Sequence, residues 1–295
     1  MHAVGVLEQG LCNYVVVSYG HNPLSSGGLK SVFQERAGNE AVFGQFGASA
    51  GYALAARRAM HDFGTGPDTW KHIAVGQRKW ANLNPVAMKY NEPMTFEDYF
   101  NSRWIVEPFR LPDNCLITDG GRAYIVTSIE RARDLPNPPV LIMGMGQHNP
   151  STDVQQADHL AGPTGAKKAA ETAFGMAGIT TADVDACEIY DCFTYTVEIT
   201  LQDYGFFGPG EGREWFDGGR TEPGGRMPVN TSGGQLSEAY FMGLTPFTEA
   251  VMQLMERCGQ RQIGPVTGTK KPKIIVCSDN GAILQTHTCI VLGRD

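Results

Sequence analysis

Three stretches carry side chains that could do acid–base chemistry. In residues 228–245, PVNTSGGQLSEAYFMGLT, a Gly-Gly pair stands shortly before Tyr240. Gly233 and Gly234 have no Cβ, so a ligand or another backbone can approach them closely. The pattern reads as a short strand, a turn and a helix expected over 237–258. Ser232, Thr231 and Ser237 are candidate caps, and Glu238 puts an acid in the first turn. The start of a helix offers free N–H groups to an anion or a polarised carbonyl. Tyr240 is then expected just inside that helix, where the dipole lowers a phenol pKa from about 10. Tyr190 is expected to end a buried strand over 186–190. Ser278-Asp279-Asn280-Gly281 offers a carboxylate that can be a base or a plain turn residue. Backbone N–H groups near Gly234 or Gly281 are candidates for holding an oxyanion.

Other reactive-looking residues have simpler readings. Cys192 reads as a small buried hydrophobe. Asp191 is expected to cap a helix that begins near Thr194. His21 reads as a loop histidine, and Lys167-Lys168 and the lysines at 270, 271 and 273 as solvated charge.

The elements that must position these groups follow from pattern. The 295 residues allow one large or two small domains. A net charge of −7 argues against a nucleic acid or an anionic membrane as partner. The seven cysteines form no CxxC pair and sit in apolar contexts, which predicts reduced thiols and a cytoplasmic location. No apolar run of about 18 residues suggests a membrane span. No P-loop and no HExxH occurs, so neither a nucleotide site of that type nor a metal is expected.

Residues 2–11 read as a buried helix and 14–18 as a strand covered on both faces. An irregular loop is expected from 20 to about 51, then helices over 51–63, 67–83 and 95–102. Two β segments are expected around Asp119-Gly120-Gly121. From residue 140 the order reads β-α-β-α-β-α-β-β, with a final turn at Asn280-Gly281. Residues 11–18, LCNYVVVS, echo 272–278, PKIIVCS, which suggests an internal duplication.

Four motifs carry a resemblance to the thiolase superfamily: residues 115–127, CLITDGGRAYIVT; Glu188-Ile189-Tyr190-Asp191-Cys192-Phe193-Thr194; residues 229–237, VNTSGGQLS; and Ser278-Asp279-Asn280-Gly281. The resemblance spans essentially the whole chain and is strongest to the sterol-carrier (lipid-transfer) branch. It implies a five-layer α/β/α/β/α sandwich: a truncated first half over 1–138, holding a helical loop domain at about 20–112, and a second half over 139–295. The departures matter as much. No cysteine lies in the family's nucleophile context, Tyr240 stands where a catalytic His is expected, and the second catalytic Cys is replaced within residues 278–280. Thiolysis needs thiolates and an imidazole. The pattern is more similar to thiolase-fold steroid side-chain aldolases, which implies retro-aldol cleavage of a β-hydroxy acyl-CoA by Tyr240 and Tyr190, with Asp279 as alternative base. Ser232, Gly233, Gly234, Asn280 and Gly281 would line the substrate or its oxyanion. The resemblance further implies coenzyme A as part of the substrate with no other cofactor, a homodimer, and an OB-fold (DUF35-type) partner with an associated hydratase. The alternatives are an acyltransferase of the lipid-transfer type and a non-catalytic acyl-CoA-binding subunit.

Overall fold

The computed structural model describes residues 1–27, 42, 44, 47–151 and 154–294. Most of the expected loop at 20–51 therefore lies outside the described residues. In chain order the elements begin with α1 (His2–Glu8), β1 (Tyr14–His21), α2 (Gly47–Phe63), α3 (Pro67–Ala81), α4 (Phe96–Asn101), β2 (Trp104–Val106), β3 (Phe109–Arg110) and β4 (Gly120–Thr127). There follow α5 (Ile129–Arg133), β5 (Val140–His148), α6 (Gly165–Ala177), β6 (Ala186–Glu188), α7 (Thr194–Asp203), α8 (Gly212–Phe216), α9 (Gly234–Ser237), α10 (Leu244–Leu254), β7 (Ile274–Gly281) and β8 (Thr286–Arg294).

The main sheet runs β5-β8-β7-β6. β8 is antiparallel to both neighbours, and β6 is parallel to β7. Val229 adds a single parallel bridge to Cys187, so the strand expected near 228 survives as one bridge at the sheet edge. β1 and β4 form a separate antiparallel pair, in register from Tyr14↔Thr127 to His21↔Gly120. Helix α10 packs on β7, β6 and β8 and also on β4, so it lies between the two sheets. The Tyr124 and Phe247 rings meet there at 4.3 Å. On the other face of the main sheet, α6 covers β5 and β8 and touches α7. Sheet, helix, sheet and helix give four successive layers among the described residues.

Local sequence explains the tight packing of α6. Gly144 and Gly146 lie on β5 under the helix, and added methyls would overlap the Ala173 and Ala169 carbonyls. Ala166, Ala169, Ala170 and Ala173 present the matching small face and are buried. Thr164 Oγ1 accepts the Ala166 N–H, and Gly178, at φ 66°, closes the helix in the left-handed region. In the lobe, Pro67 opens α3. Thr95 and Asp98 cap α4 reciprocally through bonds of 2.8 and 3.1 Å.

Two expectations change at the first strand. α1 contributes no buried residue, and β1 alternates between exposed and half-buried positions. Val16 and Ile125, cross-strand partners, are 63% and 65% exposed. A β-branched run is compatible with a strand covered on one face as well as on two. At 116–121, the strand begins only at Gly120; Leu116 instead donates its N–H to the Gln235 carbonyl at 2.9 Å.

Candidate active site

Tyr190 lies just past the C-terminal end of β6, where the chain is fixed from both sides. Its N–H donates to Ser278 Oγ on β7 at 2.9 Å. Asn230 grips Ile189 beside it, its Oδ1 accepting the Ile189 N–H at 2.6 Å and its Nδ2 donating to the Ile189 carbonyl at 2.9 Å. Tyr240 arrives from the other side. Its N–H donates to Thr118 Oγ1 at 3.0 Å. The two phenol oxygens are 2.8 Å apart, in direct hydrogen bond. Met242 Sδ stands 3.0 Å from Tyr240 Oη and 3.8 Å from Tyr190 Oη.

A third tyrosine joins them. Tyr52, inside the helix expected over 51–63, donates from Oη to Asn280 Oδ1 at 2.6 Å, and its ring packs on Phe193 at 4.7 Å. Asn280 Nδ2 is buried with no hydrogen-bond partner among the described residues. Cys192 adjoins Tyr52, and both Cys192 and Cys115 act electrostatically on Tyr52 and Tyr240. Nothing local in the sequence links Tyr52 to Asn280; they meet only because α2 folds back over the end of β7.

Burial sets the protonation of this cluster. It pushes the Tyr190 and Tyr52 phenols well above 10, and neighbouring thiol and phenol groups push the same way. Tyr240 is also raised, first by burial, with the hydrogen bond to Tyr190 partly opposing. Burial therefore reverses the expected lowering of the Tyr240 pKa, and the helix dipole that was to lower it is missing, because Tyr240 is not in a helix at all. The helix expected over 237–258 is two pieces, α9 and α10, and Tyr240 lies in the link between them. Pro246 is the signal for the break: it occupies the first turn of α10, where its missing N–H costs nothing. Gly243 in the same link lies against Asp279, whose carboxylate a methyl there would overlap. Cys115 is pushed up to about 12 by burial, and Cys192 well above its ordinary value, so both thiols stay protonated.

Asp279 is the acid nearest this chemistry. Burial pushes it up to about 6, so it is mostly ionised at neutral pH. Its charge is one of the causes that raise Tyr190. It is not a turn residue: β7 continues to Gly281, which pairs with Thr286, and the turn is made by Ala282, Ile283 and Leu284 at positive φ.

The Gly-Gly turn has a different role from the expected anion seat. Its donors are already used. Gly233 donates its N–H to the Asn230 carbonyl at 2.9 Å, and Ser232 Oγ accepts the Gly234 N–H at 3.2 Å. Asp191 accepts the Gln235 and Leu236 N–H groups at 2.9 and 3.2 Å. Asp191 thus caps α9, not α7; burial pushes it up to about 7 against the lowering effect of those two bonds. Methyls on Gly233 and Gly234 would overlap Ala81 and the Asp191 carboxylate. Ser232, Gly233 and Gly234 therefore form a buried packing joint among α3, Asp191 and α9. Thr231 turns instead to Glu188, which accepts from its Oγ1 at 2.7 Å. His21 ends β1, and Lys270 pairs with Asp185 at 2.7 Å.

The family described as "Thiolase C-terminal domain-like" matches residues 146–294. The chain belongs to the thiolase superfamily. Among thiolase-fold relatives, it is 39% identical to "Steroid side-chain-cleaving aldolase" of Thermomonospora curvata, over 82% of this chain and 61% of that one. It is 35% identical to "17-hydroxy-3-oxo-4-pregnene-20-carboxyl-CoA lyase" of Mycobacterium tuberculosis, over 91% of this chain and 72% of that one. The chain thus spans about six to seven tenths of the length of these two thiolase relatives. Among solved structures, it is similar to the "Ltp2-ChsH2(DUF35) aldolase", with a TM-score of 0.86 and 32% identity, covering 99% of this chain and 75% of that one. The mixed sheet with its central helix layer is the thiolase fold.

Proposed function

We propose that this chain cleaves a β-hydroxy acyl-CoA of steroid side-chain type by retro-aldol chemistry, giving a ketone and a shorter acyl-CoA. The observation that carries the reading is the direct contact of the Tyr190 and Tyr240 hydroxyls at 2.8 Å. The reaction releases one proton from the β-hydroxyl and consumes one at the α-carbon. As the carbon–carbon bond breaks, its electron pair becomes that of the thioester enolate. Two phenols in hydrogen bond can accept the hydroxyl proton at one end and deliver the other phenol's proton to the enolate carbon. The shared proton then crosses between them, and the pair ends as it began. Such a relay suits phenols held neutral by burial, and needs neither a thiolate nor an external reductant or oxidant.

Two groups assist in this reading. Ionised Asp279 favours proton uptake by Tyr190. Asn280, its Oδ1 engaged by Tyr52, keeps an unpaired Nδ2 donor for the enolate oxygen. Gly281 closes the strand that places both. Support also comes from the two relatives named for steroid side-chain and pregnene-carboxyl-CoA cleavage. An OB-fold DUF35 partner, as in the name of the solved aldolase, belongs to the proposal, together with a homodimer, an associated hydratase and a cytoplasmic setting. Acyl transfer has less support: Cys115 and Cys192 stay protonated, and among the described residues no imidazole is hydrogen-bonded to either phenol.

The test is incubation with 17-hydroxy-3-oxo-4-pregnene-20-carboxyl-CoA, with and without a DUF35 partner and with no added coenzyme A. A ketone and a shorter acyl-CoA are expected. Cleavage that occurs only when free coenzyme A is supplied would sink the proposal in favour of thiolysis.

A further inference from the structure

A cleft of about 740 Å3 opens where β6 begins, at the end of that strand opposite Tyr190. Its volume is in the range of small-molecule sites. One wall is apolar and aromatic: Phe206, Trp215, Met227 and Ile263. The other carries Arg220, Arg226 and Lys270. Lys270 is neutralised by Asp185, whose second oxygen takes the Lys273 and Ile274 N–H groups. Among the described residues, the two arginines have no acidic partner. Arg220 lies over the Trp215 ring at 5.4 Å, and its Nε is buried without an acceptor.

The loop between them is built for this juxtaposition. Met227 donates its N–H to the Arg220 carbonyl at 3.0 Å, closing the segment. Gly225 packs so tightly that a methyl would overlap the carbonyls of Gly219 and Arg220. The fold thus holds two like charges near one another, without a counter-ion among the described residues, in a chain of net charge −7. The electrostatic repulsion between them is relieved by an anion, and a buried Nε–H without an acceptor is a donor waiting for one.

We propose that this cleft binds a small amphipathic anion. Its apolar chain or ring lies on Trp215, Phe206 and Met227, and its carboxylate or phosphate bridges Arg220 and Arg226. The side-on pair of Nε–H and Nη–H donors on Arg220 matches two oxygens of such a group.

The test is fluorescence titration of the full chain with dansyl-undecanoate, its methyl ester and, as displacers, laurate and dodecyl phosphate. Saturable binding of the carboxylate is expected, with the ester at least tenfold weaker. Arg220→Gln and Arg226→Gln should each weaken the carboxylate about tenfold, while Tyr190→Phe leaves it unchanged. Displacement by laurate or by dodecyl phosphate identifies the headgroup; displacement by neither overturns the proposal. Equal binding of the ester, binding indifferent to both arginines, or loss in Tyr190→Phe overturns it too. If Arg220→Gln does not fold, exposed Arg226 decides alone.

Discussion

If Tyr190 and Tyr240 are one proton relay, removing either hydroxyl should cost as much as removing both. A positioned acid–base group contributes about 10²–10⁴ in rate, or about 3–5 kcal/mol of barrier. Tyr190→Phe and Tyr240→Phe should each lower kcat by about a thousandfold, and the double variant should lie within about threefold of the singles. Two independent residues would multiply instead, to about a millionfold. The same geometry predicts an asymmetry in stability that rate effects alone would not give. In Tyr190→Phe, the half-buried Tyr240 hydroxyl keeps Met242 Sδ at 3.0 Å. In Tyr240→Phe, the buried Tyr190 hydroxyl is left with that sulfur at 3.8 Å, close to no bond at all. An unsatisfied buried hydroxyl costs about 1–3 kcal/mol, so Tyr240→Phe should be the less stable protein. Urea unfolding measures this, and single-turnover cleavage of the pregnene-carboxyl-CoA measures the rates. Multiplicative rate losses, or a Tyr240→Phe enzyme within threefold of the parent, would refute the relay.

Asp279 acts as its carboxylate in this reading, so kcat should rise with pH and reach half its limb near pH 6, where burial places the group. Asp279→Asn should flatten that limb in a pH–rate profile. Gly146→Ala puts a methyl against the Ala169 carbonyl under α6; it should destabilise the fold by about 3 kcal/mol or more in urea, whereas Gly175→Ala on the open side of α6 should not. Arg261 holds buried Glu249 through two bonds of 3.0 Å. Arg261→Met should cost about 3–5 kcal/mol in denaturant unfolding, and adding Glu249→Gln should recover part of that loss.

The parts of this molecule readable from sequence are those governed by nearby residues. The Thr95–Asp98 box and Pro67 act within a few positions, and the helices they open appear within a few residues of expectation. Tyr240 is legible as a candidate beside the Gly-Gly pair, and Tyr190 through the resemblance of residues 188–194 to the thiolase-fold aldolases. The motif did not reveal which atoms it serves. Residues 239–242 are apolar and look like a continuing helix; only Pro246 gives the break away, and the break is what frees Tyr240 to reach Tyr190. The N–H groups of Gln235 and Leu236, just after the Gly-Gly turn, look available in the sequence because Asp191, their acceptor, lies more than forty positions away. Tyr52 and Asn280 are further apart still, so no local pattern could join them.

The two phenols are held by backbone bonds to Ser278 and Thr118, on β7 and on the segment before β4, so their contact depends on both sheets at once. Helix α10 spaces those sheets through Phe247, which meets Tyr124 at 4.3 Å. Shortening that side chain should therefore change the separation of the phenols without touching either one. The chemistry of the pair is set by two tyrosines, while its geometry is set by the packing between the layers that carry them.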